Sequence, residues 1–424
     1  MKKKRVAYRE PEEPNPYRPG AGHVPPFLAG RDDEREEFGR LLSQRPILTN
    51  LVLTGLRGVG KTVLLERFKP VALDRGWLWA ATEVSESATV SEDGLATRLL
   101  ADLAPLVSNV VVAEEEIHGV GFKPVIDRQK TRLDFALLRQ IYDQTPGLAS
   151  DKLKHVLEVV WRSVHKAKCQ GIVLAYDEAQ NLSNQAAEHQ YPLSLLLDVF
   201  QSIQKKNIPV LLVLTGLPTL YPRLVNARTF AERMFRVITL GRLTDKECRE
   251  AIIRPLEMRK SPVKFTNAAV KAIIQNSGGY PYFVQFLCRE VYDACWQQPS
   301  ARTNPAVTVV QSVRKLDNDF FAGRWHRVTD RQRELLQVVA ELPNCNDEFT
   351  VQEIVEQSKR SLKKAFSPSH VSQLMNKLAD GGVVYKNRHG RYCFAIPMMG
   401  DFINRQQEDL RSGDHEMRPA SRRN

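Results

Sequence analysis

Residues 55 to 62 read Gly-Leu-Arg-Gly-Val-Gly-Lys-Thr. Glycines at this spacing free the backbone, so that N–H groups converge on phosphate oxygens with no side chain in the way. In such a loop Gly55, Leu56, Arg57, Gly58, Val59 and Gly60 form the cradle. Lys61 reaches the β- and γ-phosphates and Thr62 offers a hydroxyl to Mg²⁺. Val63 lies in the first turn of a helix whose positive end faces the phosphates. A second chemical signal closes the apolar run Ile172 to Tyr176, which ends in Asp177-Glu178. A carboxylate at the end of a strand can hold Mg²⁺ through water, the role expected of Asp177, and Glu178 can polarise the attacking water as general base. A guanine-specific Asn-Lys-x-Asp is not found: Asn376-Lys377-Leu378-Ala379 lacks the aspartate. The expected chemistry is therefore hydrolysis of ATP.

These residues need a scaffold. Five short apolar runs, Leu51 to Thr54, Trp77 to Thr82, Ile172 to Tyr176, Val210 to Thr215 and Phe235 to Leu240, do not alternate with polar residues and predict buried parallel strands. Helical patterns between most of them predict an α/β layer fold. Asp32-Asp33-Glu34 opens a helix through Leu42, and Pro70 is expected to kink or shorten the helix after the phosphate loop. The stretch from 105 to 147 fits either a hairpin starting at Val110 or a mobile insertion.

After Leu240 helices take over. Thr244 and Glu247 form a capping box, Thr266 caps the next helix, Gly278-Gly279 end it, and Pro281 starts a third helix to about Trp296. A fourth spans Val307 to Phe321. From Thr329 three helices precede a hairpin, which is winged-helix order, with Ser369 as the expected cap of the third.

The net charge of +12 suits an anionic partner or plain solubility. Six scattered cysteines, none in a Cys-x-x-Cys pair, argue against a zinc ribbon or a disulfide framework. The basic start lacks the apolar stretch of a signal peptide, and no run could span a membrane. A cytoplasmic location is expected.

With those motifs in place, the chain resembles the AAA+/STAND superfamily of P-loop ATPases, and within it the group allied to archaeal replication initiators of the origin-recognition/Cdc type, over roughly residues 17 to 400. The resemblance implies that Leu28-Ala29-Gly30-Arg31 lines the adenine pocket. It implies that Thr215 is the sensor-1 polar residue near the γ-phosphate, or alternatively a simple strand cap. Arg233 falls where the family often places an arginine finger, with Arg228 as runner-up and a solvated surface arginine as the alternative. Gly279-Tyr280-Pro281 resembles the Gly-x-Pro turn that presses on the nucleotide. Where replication initiators carry a sensor-2 arginine, this chain has Tyr282-Phe283, which implies a slow switch rather than a fast motor.

The C-terminal region between Lys359 and Arg405 carries nine Lys/Arg residues against Asp380 and Asp401, which suits phosphate contacts. Val371, Leu374, Met375 and Leu378 form a helix stripe. His370, Gln373 and Lys377 on the opposite face would read bases of double-stranded DNA, and Lys386, Arg388, His389 and Arg391 would form the wing. A protein-interaction or autoinhibitory role is the alternative.

The expected organisation is a Pro-rich extended segment (1–26), a P-loop α/β domain (27–241), an α-helical lid (242–325), a winged helix (326–405) and a disordered tail (406–424). The expected function is a Mg²⁺-dependent ATPase switch acting on DNA in replication, transposition or defence, alone or as an ATP-dependent homo-oligomer or with a partner protein. The alternative is a STAND-type signalling ATPase.

Overall fold

The computed structural model describes residues 15–20, 22–85, 90–118, 126–182, 184, 188–297, 305–388 and 390–416. These divide into two compact units. The first to be described spans Arg31–Gly55 and Lys61–Leu240. Its strands are β1 (Asn50–Gly55), β2 (Trp77–Glu83), β3 (Val111–His118), β4 (Ile126–Arg132), β5 (Gly171–Asp177), β6 (Val210–Gly216) and β7 (Phe235–Leu240). Its helices are α1 (Asp32–Leu42), α2 (Lys61–Leu73), α3 (Glu92–Val107), α4 (Phe135–Gln144), α5 (Ala149–His165), α6 (Pro192–Lys205), α7 (Leu220–Ala227) and α8 (Ala231–Met234).

Five strands form a parallel sheet in the order β2-β5-β6-β1-β7. The three central strands are wholly buried, as unbroken apolar runs require. The edges depart from the expectation: β2 and β7 are each partly exposed, because an edge strand has a neighbour on one side only. Val52, Ile172, Leu174, Val210 and Leu212 join α3, α5 and α6 in one core. α2 packs on β1, β2, β5 and β6, with Phe68 stacked on Phe38 of α1 at 4.3 Å between centroids. α2 does not stop at Pro70 but runs on to Leu73. A proline removes one hydrogen bond to the preceding turn, and here the buried Phe68 and Ala72 hold the last turn against the unit. Between α3 and α4, β3 and β4 pair antiparallel, which resolves that stretch as a hairpin.

A buried amide pair locks the centre of this sheet. Asn50 Nδ2 donates to Gln204 Oε1 at 3.1 Å, Gln204 Nε2 donates to Asn50 Oδ1 at 2.7 Å, and the Leu212 N–H donates to Asn50 Oδ1 at 2.8 Å. Alanine at Asn50 strands these donors and acceptors away from water. The expected loss is about 3 kcal/mol, read as a lowered denaturant midpoint with an unchanged m-value.

The second unit comprises Met1–Gly30, Leu56–Gly60 and Gly241–Asn424. It holds α9 (Asp245–Met258), α10 (Asn267–Ser277), α11 (Pro281–Gln297), α12 (Pro305–Leu316), a π-helical segment (Asp317–Ala322) and α13 (Gly323–Trp325). Then come α14 (Asp330–Ala340), β8 (Phe349–Thr350), α15 (Val351–Ser361), α16 (Pro368–Asp380), β9 (Val384–Arg388), β10 (Arg391–Phe394) and α17 (Met399–Glu416). β10 pairs antiparallel with both β8 and β9. Capping boxes at Thr244, Thr329 and Thr350 start three of the helices.

Two expectations change in this unit, and one segment gains an anchor. The cap of α16 is Ser367, which accepts from the His370 N–H; Pro368 takes the first helical position, where its missing N–H costs nothing. The expected disordered tail from 406 is helical through Glu416 as part of α17; residues 417–424 lie outside the described residues. The N-terminal segment is anchored: Tyr17 is buried, donates to the Ile252 carbonyl at 2.5 Å and stacks on Phe265. One core runs from Tyr17 through α9 to α12 and on to Phe402 of α17.

Candidate functional site

Parallel strands place their C-terminal ends on one edge, the usual ligand edge of an open α/β sheet. β5 ends at Asp177, β6 at Thr215-Gly216 and β1 at Gly55, with β6 between the other two. The Thr62 hydroxyl donates to Asp177 Oδ2 at 2.5 Å. The Thr215 hydroxyl donates to Asp177 Oδ1, which also accepts the Glu178 N–H at 2.8 Å. Thr215 is fully buried and Asp177 7% exposed, so the carboxylate is fixed in direction. Lys61 is also buried, and its Nζ donates to the Gly55 carbonyl at 2.9 Å across the loop.

The donor set here is two hydroxyls and one carboxylate. Among the described residues no group of three His, Cys, Asp or Glu gathers. Mg²⁺ is commonly held by one or two protein oxygens, with water and phosphate filling the remaining positions. The set fits Mg²⁺, and Thr62 and Asp177 are the residues that would hold it.

Glu178 follows with φ of 50°, a left-handed backbone that is uncommon for a residue with a Cβ and that tends to mark functional sites. Its carboxylate accepts from Gln180 Nε2. Gln180 Oε1 in turn accepts the Leu217 N–H at 3.1 Å. A Cβ on Gly216 would come within 2.6 Å of that oxygen, so glycine is needed for the bridge. Gln180 therefore ties Glu178 to the end of β6. Sequence reasoning missed this residue; its one signal was a polar side chain two residues beyond the acidic pair.

Arg31, just before α1, is buried and forms an ion pair with Glu34 at 3.4 Å. Arg233 ends α8 with its side chain exposed. Arg228 is engaged within the chain by Asp198, at 2.9 and 2.6 Å, and this hydrogen bonding raises its pKa above the usual arginine value. Such a bidentate pair occupies the Arg228 fork within the chain.

In the other unit, Leu56–Gly60 packs with the start of α11. The Tyr282 N–H donates to the Gly58 carbonyl at 3.1 Å. Gly58 has φ of 80°, and a Cβ there would lie 3.1 Å from the Tyr282 Cβ, so both shape and space call for glycine. Pro281, half-buried, sets the first turn of α11. Burial, followed by the negative charge of Asp319, raises the Tyr282 pKa above its ordinary value.

Residues 28–225 match the AAA ATPase domain family. This segment is an AAA ATPase domain. The fold of the whole chain is that of AAA+ P-loop ATPases and resembles solved structures across nearly all of its length. The Walker-type ATPase of Pyrococcus abyssi superposes with a TM-score of 0.53 at 14% identity, covering 89% of this chain and 96% of that one. The ORC2 protein of Aeropyrum pernix, in its ADPNP-ADP complexes, gives 0.52 at 13% identity, covering 93% and 98%. At these identities the likeness is one of fold. No protein of curated function matches by sequence. Residues 318–403, beyond the AAA domain, match a domain of unknown function (DUF8462).

In that C-terminal region the stripe Val371, Leu374, Met375 and Leu378 of α16 is buried. Gln373 and Lys377 on the same helix are exposed, as is Lys386 on β9. His370 is half-buried with its ring against Phe366. Arg391 pairs with Glu348 at 3.5 Å. The side chains of Arg388 and His389 lie outside the described residues.

Proposed function

We propose that the AAA domain binds and hydrolyses ATP with Mg²⁺, and that the cycle works as a slow switch acting on double-stranded DNA through the C-terminal module, read as a winged helix. The observation that carries the ATPase reading is the clasp of Thr62 and Thr215 on Asp177, beside a lysine folded over a glycine-rich loop. The loop amides and Lys61 hold the β- and γ-phosphates. Thr62 and Asp177 hold Mg²⁺, which when bound neutralises phosphate charge. Thr215 keeps the Asp177 carboxylate aimed. Glu178 takes a proton from the attacking water as its oxygen bonds to the γ-phosphorus, the bond to the bridging oxygen breaks, and ADP and inorganic phosphate leave. The ADPNP-ADP complexes of the Aeropyrum neighbour are in keeping with this reading. Arg233, exposed at the end of α8, would act on the nucleotide of a second copy and couple assembly to ATP. Phosphate release assayed with ATP and Mg²⁺ tests the core of the proposal; a wild-type chain without turnover would refute hydrolysis.

For DNA, the exposed Gln373, Lys377 and Lys386 support contacts to bases and phosphates. Changing Lys377 and Lys386 to alanine together is expected to weaken duplex binding and to reduce the slope of log affinity against log salt by about 2. Filter binding across a salt series reads this out. A wild-type chain that retains no duplex, with or without ATP, removes the DNA reading.

One observation favours the STAND-type signalling alternative: the lid helices and the C-terminal module share one core, which suits an autoinhibitory or partner-binding role.

A further inference from the structure

The acidic pair at the end of β5 runs into a short 3-10 turn, Ala179–Asn181, and α7 packs against it. Leu220 and Leu224 of α7 are fully buried and fix the rotation of that helix. Arg223, exposed on the same helix, reaches over the turn, and its Nη1 donates to the Gln180 carbonyl at 2.6 Å. The turn's own N–H groups serve the neighbouring carbonyls: Asn181 donates to Glu178 at 2.9 Å and Leu182 to Ala179 at 3.0 Å. Arg223 supplies the donor for the carbonyl between them in space, that of Gln180. The remaining sides of the turn are held as well. The Val84 N–H donates to the Asp177 carbonyl at 2.9 Å, and Asn181 Nδ2 donates to the Val84 carbonyl at 2.9 Å, which ties the turn to the chain leaving β2. The Gln180 side chain ties it to the end of β6. A residue with a Cβ persists in the left-handed conformation of Glu178 only where its surroundings over-determine it. Of the ties to the turn's backbone, the one from Arg223 is charge-assisted, and such bonds are about twice as strong as neutral ones.

We propose that Arg223 is a positioning residue for hydrolysis: by gripping the Gln180 carbonyl from α7, it holds the Glu178 carboxylate where it takes the proton of the attacking water. The inference rests on the reading of Glu178 as general base. Arg223 acts through the turn, and no proton passes through its guanidinium.

The test compares single-turnover ATP hydrolysis and KM for the full chain in four forms: wild type, Arg223→Met, Glu178→Gln and the two combined. Methionine keeps much of the apolar stem and removes the donor. A misplacement of about 1 Å can cost roughly 100-fold in rate, and the turn keeps its other ties, so Arg223→Met is expected to be slower by about tenfold. KM should stay within about a factor of two, since uniform binding is untouched. In the Glu178→Gln background the same change should alter the rate by less than about twofold, because the base that Arg223 positions is already gone. Arg223→Lys keeps a charged donor and is expected to recover most of the lost rate. An equal fall in both backgrounds overturns the proposal, because the effect then bypasses Glu178. Full turnover in Arg223→Met, or a lysine variant as slow as the methionine one, overturns it too. If Arg223→Met melts early, Arg223→Gln, which is too short to span the same gap, takes its place in the comparison. A wild-type chain without turnover refutes the ATPase reading, and a Glu178→Gln variant as fast as wild type refutes the base. Either result removes this proposal with its foundation, and neither resembles an equal fall in both backgrounds.

Discussion

Lys61→Ala is expected to weaken ATP and ADP binding by on the order of 100-fold, the value of charge-assisted hydrogen bonds to two phosphates. The ammonium is buried and points back across the loop to the Gly55 carbonyl. It is positioned before any ligand arrives, so little ordering entropy offsets its contacts. Alanine leaves the Gly55 carbonyl short of one donor but introduces no buried charge, so the variant should fold. Calorimetric titration with both nucleotides, beside a thermal melt, separates the two effects. Near-normal affinity in a folded variant would overturn the phosphate-loop assignment.

The second large effect concerns turnover. Glu178→Gln keeps size and backbone preference at a residue whose φ of 50° already favours few substitutions, yet removes the base. Turnover should fall by about 10²- to 10⁴-fold, with ATP affinity within a factor of two of wild type. Single-turnover kinetics with radiolabelled ATP reads the chemical step. If turnover is unchanged, Glu178 is not the base. Gln180→Leu breaks the bridge from Glu178 to the end of β6, and should lower the maximal rate more than it changes the KM.

Much of the nucleotide-binding half was legible because its signals are local. A short unbroken apolar run such as Val210 to Thr215 suits a buried strand beside helices, and β6 spans Val210–Gly216. The strand order was not legible: nothing local says that β6 lies between β5 and β1, and that order is what brings Thr215 onto Asp177. Long-range partners stayed hidden for the same reason. Asp198 claims Arg228 from 30 residues away, and Glu348 reaches Arg391 across 43. Ser367 was overlooked as the cap of α16 because Ser369 is equally polar; the proline between them was the better signal. The helix that enters the tail was not legible either: Phe402 and Ile403 are buried ahead of position 406, and α17 carries on from them to Glu416.

Tyr17 adds a consequence for how the chain comes to be folded. Its unit is assembled from three separated stretches, while the sheet unit lies almost wholly within one, Lys61–Leu240, apart from Arg31–Gly55. During synthesis the sheet unit has all its residues once Leu240 has emerged. Tyr17, made long before, must wait for Ile252 and Phe265, its partners in α9 and beyond. Domains fold in the order in which they are completed on the ribosome. An aromatic near the start of the chain is thus among the later residues to find its place, and until then it is exposed apolar surface for a chaperone to shield.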